Sequence, residues 1–127
     1  MNTINKTARQ GDVVLVRVEA LPDGLVSAER DKAGRFVLAH GERSGHGHAI
    51  RDKNVMALRM AGTEPDPTGV SGGIDYIEVG GSSPATLCHE YINGKMAEHH
   101  PITLPPGLYK VVLQREYSPK GIVRAVD

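Results

Sequence analysis

LYKVVLQREY, residues 108–117, is the longest strand-like run in the chain, and its reading decides the fold class. No proline interrupts it, so every residue can donate to a ladder. Tyr109, Val111 and Leu113 share one face of an extended chain, and Val112 lies on the other. Such a run is expected at the centre of a sheet with the first face buried. Pro105-Pro106-Gly107 turns the chain into it and Ser118-Pro119 ends it.

On the N-terminal side the same grammar repeats. Residues 13–19 follow a Gly11-Asp12 turn, with Val14, Val16 and Val18 on one face and Val13, Leu15 and Arg17 on the other. Further strands are expected over residues 35–40, 45–50, 54–61, 74–79, 85–90 and 101–104. The stretch 54–61 carries Met, Ala and Leu, but its turn-rich flanks favour strand over a short helix. Residues 25–34 read as a loop or an irregular edge, residues 62–73 as an exposed, mobile loop, and Asn93-Gly94 as a hairpin signal. Roughly seven to nine short strands, with turns every eight to twelve residues, indicate an all-β domain with minor helix. The expected architecture is a small antiparallel β-barrel or β-sandwich. Residues 1–10 read as a flexible tail and 11–127 as one domain.

Bulk composition narrows the function classes. Fifteen basic residues balance fifteen acidic ones, and a nucleic-acid binder ordinarily shows a basic excess. No run approaches the roughly 20 apolar residues of a membrane span, and residues 1–10 lack the apolar core of a signal peptide. One cysteine, Cys88, excludes an intramolecular disulfide and fits a reducing compartment. The expected location is cytoplasmic, with no membrane partner and no strong nucleic-acid signal, though a local basic patch stays open.

The histidines carry the sharpest hint of chemistry. Five of six fall into two groups, His46 and His48, then His89, His99 and His100. In a strand, His-x-His points both imidazoles to one side, a geometry that suits two ligands on one metal ion. Adjacent His99 and His100 face opposite ways, so one of them is expected to join the pair. Three imidazoles, or two with a carboxylate, would leave an open position on Zn, Fe, Mn or Ni. If that site is catalytic, metal-bound water or a metal-polarised oxygen does the chemistry, with Glu98 or Glu90 as proton carrier. The same histidines are equally readable as hydrogen-bonded structural residues, or as metal-free acid–base groups.

Two resemblances attach to these segments. Gly45-His46-Gly47-His48, with residues 102–109 (ITLPPGLY) downstream, resembles the metal-binding strand pairs of cupins, which implies a cupin-like barrel with histidines inside. The spacing departs from that pattern: four residues separate Gly41 from His46, one fewer than in cupins, and no histidine follows Pro105-Pro106-Gly107. More closely, the GHxHA, EHxPIxLPxGxY and QREYxP segments at 45–49, 98–109 and 114–119 resemble small uncharacterised bacterial and phage proteins. That resemblance implies no activity.

Other motifs are poor candidates. Gly69 to Gly73 and Gly80-Gly81 lack the strand–glycine–helix context of a phosphate loop. His89 faces away from Cys88, which leaves the thiol without a base. Two functions of different class remain. One is a β domain that binds a divalent metal or small polar ligand through its histidines. The other is a non-enzymatic, phage-related accessory or self-assembling interaction protein, a homo-oligomer included, whose histidines are structural.

Overall fold

The structure, a computed structural model, describes residues 2–3, 7–40, 47–63, 66, 68–90, 100–118 and 121–124, with side chains for 7–40, 47–63, 66, 68–90 and 100–114. Within them the chain forms β1 (Asn2–Thr3), β2 (Thr7–Gln10), β3 (Val13–Val18), β4 (Leu25–Ser27), β5 (Phe36–His40), β6 (Gly47–Ile50) and β7 (Val55–Met60). There follow β8 (Tyr76–Val79), β9 (Ala85–Glu90), β10 (Ile102–Leu104), β11 (Gly107–Leu113), β12 (Arg115–Ser118) and β13 (Gly121–Arg124). No helix occurs among the described residues, and so none is long and apolar enough to cross a membrane.

Two sheets face each other. One has six antiparallel strands in the order β2-β3-β11-β8-β7-β4. The other runs β1-β10-β9-β6-β5, antiparallel except for the short β1 beside β10. Among the described residues the sheets share no strand, so the expected barrel-or-sandwich resolves as a sandwich. The cupin-like closed barrel is not what forms.

The six-stranded sheet is built around β11, which pairs with β3 on one side and β8 on the other. Its inward face sets Tyr109 beside Ile77, with Leu15 opposite Val111. Tyr109, Ile77 and Leu15 are fully buried against Leu38, Ile50, Leu87 and Leu104 of the facing sheet. Alternation drives this choice, since inward positions of both sheets are apolar and shed their water together. The expected strand over residues 108–117 is too long, however. Pairing with β3 ends at Leu113, the Gln114 N–H donates to the Asp12 carbonyl instead, and β12 pairs with β13. Leu113 and Val111 are half-buried rather than core.

Gly107 marks the entry to β11 with φ 153°, where a Cβ would lie 2.6 Å from Arg17 Nη2. The space it leaves lets the Arg17 guanidinium donate to the Pro106 carbonyl and lie over the Tyr109 ring.

Three local readings are corrected. Residues 7–10, read as part of a flexible tail, form β2, because a hairpin at Gly11-Asp12 folds them back along β3. Gly11 at φ 59° supplies the position at which a two-residue II′ turn needs glycine. Residues 25–27, within the expected loop or irregular edge, form the edge strand β4 along β7. The 62–73 loop is tied down over its second half. Asp66 accepts from the Thr68 and Ser71 N–H groups, Val70 is buried, and Gly72 lies so close to β5 that a Cβ would sit 1.6 Å from the Val37 carbonyl oxygen. Its backbone bonds to Leu38 and His40 cover the free edge of β5. The Asn93-Gly94 signal lies outside the described residues.

Candidate functional site

β6 and β9 are neighbours near the centre of the five-stranded sheet, and their register makes His48 and His89 direct cross-strand partners. Directly opposed residues point to one face, here the interior of the sandwich. The two rings stack with centroids 4.3 Å apart and planes 6° from parallel, and both residues are 0% exposed. Beside them β5 carries a register shift between Val37 and Ala39, an irregularity that re-aims a strand locally.

The opposite sheet supplies the polar partners. The β2–β3 hairpin projects Gln10 and Asp12, both buried, toward the histidines. Gln10 Nε2 donates to the Leu87 carbonyl at 3.0 Å and to the His100 carbonyl at 2.8 Å. With its amide nitrogen facing two acceptors, Gln10 Oε1 is the end that meets His48 Nδ1, at 2.9 Å. An amide oxygen only accepts, so His48 carries a proton on Nδ1. His48 Nε2 is 3.6 Å from Asp12 Oδ1, an ion-pair separation when the ring is doubly protonated and too long for a hydrogen bond.

Glu90 follows His89 in β9 and therefore points to the other face of the sheet. There it receives Arg35 Nη1 at 3.3 Å and Arg51 Nη2 at 2.7 Å, with Arg51 Nε at 3.1 Å. A carboxylate clamped by two guanidiniums is a structural anion, so the expected role of Glu90 as a proton carrier beside the histidines is corrected. The Glu90 hydrogen bonds, acting against partial burial, raise the already high pKa of Arg51. Burial comes first in pushing the Cys88 thiol up, joined by the nearby Glu90 and Asp52 charges. That disfavours the thiolate a nucleophile requires.

The structure thus brings His48 and His89 together from the two sequence groups, which a His-x-His motif alone does not foresee. His100 reaches the cluster only through its backbone carbonyl, and its side chain is exposed. His46, Glu98 and His99 lie outside the described residues. Gln10, Asp12, Arg35 and Arg51 were not singled out from the sequence. The one available signal was Gly11 between two polar residues ahead of a strand, a hairpin that presents its flanks to whatever it packs on.

Stacking limits what this pair can hold. Two parallel rings in van der Waals contact have planes about 3.5–4 Å apart. A metal bound in the plane of one imidazole, at about 2.0–2.1 Å, lies far out of the plane of the other. His48 and His89 therefore do not chelate one ion, and no group of three or more His, Cys, Asp or Glu among the described residues is arranged to hold one.

A family model described as a domain of unknown function (DUF8820) matches residues 9–114. The chain belongs to this family. The DUF8820 match runs from β2 to the end of the β3–β11 pairing, so it takes in Gln10, Asp12, His48, His89 and Glu90 together with most of both sheets. No curated protein and no solved structure matches the chain.

Proposed function

We propose that this DUF8820 chain is a non-enzymatic interaction module, an accessory β-sandwich whose histidines are structural and whose outer surfaces meet its partner. The observation that carries this reading is the His48–His89 stack. Two parallel imidazoles at 0% exposure, bridged to the opposite sheet by Gln10, form part of the core wall. A ligand-binding imidazole has to present an in-plane nitrogen to its ligand. The His48 Nδ1 position is instead taken by Gln10. The setting proposed for the protein is cytoplasmic, where a lone thiol such as Cys88 stays reduced.

One distance favours a second reading, a site for a divalent metal or small polar ligand. Asp12 Oδ1 stands 3.6 Å from His48 Nε2 while Gln10 fixes the other ring nitrogen. That is the layout of an oriented acid–imidazole pair. Elemental analysis of untagged protein, followed by calorimetric titration with Zn²⁺, separates the two. The interaction-module reading expects metal far below one ion per chain and no saturable heat. Near-stoichiometric metal that is lost in His48→Asn, with the fold retained by circular dichroism, overturns it.

A further inference from the structure

We propose that the outer face of the six-stranded sheet is a self-association surface whose occupant is a second copy of this chain. Solvent-facing positions of an antiparallel sheet ordinarily alternate to polar. Here they do not. The register places Val16, Leu108, Tyr76, Leu58 and Met60 on that face, together with Met56, which at 52% exposure is the most exposed large apolar side chain described. Contiguous apolar surface of this kind on a folded domain marks an interaction site.

Size and charge both point to a copy of itself. Six strands about 4.8 Å apart, with about five residues each at about 3.3 Å, span about 500 Å². Two such faces together give about 1,000 Å², the threshold for a specific interface, so a dimer of about micromolar affinity is expected. Three charges lie on the face: Arg9 at the β2 edge, whose Nε donates to the Gly11 carbonyl, and at the centre an opposite pair, Lys110 on β11 and Glu78 on β8. They are diagonal neighbours, since Lys110 pairs with Tyr76 and Leu108 with Glu78. Neither has an ion-pair partner among the described residues. A two-fold axis in the interface plane, running between them, sets each Lys110 against the partner's Glu78. One patch is then complementary to itself, as a closed two-fold dimer requires.

This inference rests on the interaction-module reading and names its partner. The test is sedimentation velocity from about 1 to 100 µM, the range that brackets the expected affinity, on the full chain and on Met56→Lys, Lys110→Glu, Glu78→Lys and the Lys110→Glu/Glu78→Lys double variant. Circular dichroism confirms that each is folded. The parent is expected to move with concentration from 13.6 kDa toward twice that mass. Met56→Lys and each single charge reversal should weaken association at least tenfold, and the double reversal should restore it. A parent that stays monomeric at 100 µM overturns the proposal and leaves the face to a different protein. Association that ignores all four variants overturns it equally, because it uses another surface. Metal content measured on the same samples keeps the two readings apart: bound metal in a dimer sinks only the functional proposal, and a metal-free monomer only this one.

Discussion

The two sheets are held at their centres by different physics. In the six-stranded sheet the centre is Tyr109, Ile77 and Leu15, three fully buried side chains of the apolar core, with only the Tyr109 hydroxyl and ring meeting polar groups among the described residues. In the five-stranded sheet the centre is the His48–His89 stack, tied across the sandwich by Gln10 and neighboured by Asp12. The first region needs volume and the right face. The second needs each donor to meet its acceptor, because a buried polar group left without its partner carries the full cost of its desolvation. An apolar centre of this kind could be assembled from many sequences. The polar one depends on Gln10 arriving from the opposite sheet with its amide in one orientation.

The largest effect should come from emptying the apolar centre. Leu15→Ala is expected to cost about 2–5 kcal/mol, measured by urea unfolding. That is a large share of the roughly 5–15 kcal/mol available to a domain of this size. Leu113→Ala, on the same inward face but half-buried, should cost clearly less. Equal losses at the two positions would mean that burial does not grade this face.

Gln10→Leu probes the polar centre with little change in volume. It strips His48 Nδ1 of its acceptor and leaves the Leu87 and His100 carbonyls without their donor. A loss of about 1–3 kcal/mol is expected, the cost of buried groups left unpaired. A Gln10→Leu variant as stable as the parent would show that the cluster is not directional after all, and the contrast between the sheets would collapse.

The smallest effect lies at the rim, where Asp31 braces Arg35. Burial acts to raise the Asp31 pKa, but the Arg35 N–H, the Arg35 guanidinium and the Ala33 N–H together outweigh it, and the carboxyl sits below its ordinary value of 3.8. A depressed carboxyl stabilises the fold above its unfolded pKa and loses that contribution as pH falls through the folded one. Asp31→Asn should therefore flatten the pH dependence of thermal melting below about pH 4, where an ordinary Asp titrates, and leave neutral-pH stability little changed because the site is near solvent. An unchanged acid slope in the variant would remove Asp31 from the account of acid stability.

These regions also differ in how much of them was legible beforehand. Alternation was enough to assign strands over 13–19 and 108–117, where β3 and β11 form, and an inward face to the second, and β9 runs over the residues expected of it, 85–90. β2 was missed because its four residues, TARQ, have no alternation of their own and become a strand only by pairing with β3. The continuous strand through residue 117 fails at Gln114 for a related reason. Nothing local stops it, but the Gln114 N–H finds the Asp12 carbonyl and the ladder shifts to β12–β13.

The histidines draw the same line more sharply. Residue type and spacing singled out His48 and His89 among the candidates, and showed that Cys88 must face away from His89, but they left Glu90 expected beside the histidines. Which imidazole would meet which was beyond their reach, because that depends on the β6–β9 register and on a hairpin from the other sheet. By itself the sequence determined which of the longer alternating segments are strands and which of their side chains share a face, since both follow from backbone geometry over a few residues. Only the tertiary structure decided that His48 stacks on His89, that Gln10 meets the Nδ1 side of His48, and that Glu90 is held by two arginines. Those are pairings between distant segments, and no local preference encodes the register that makes them.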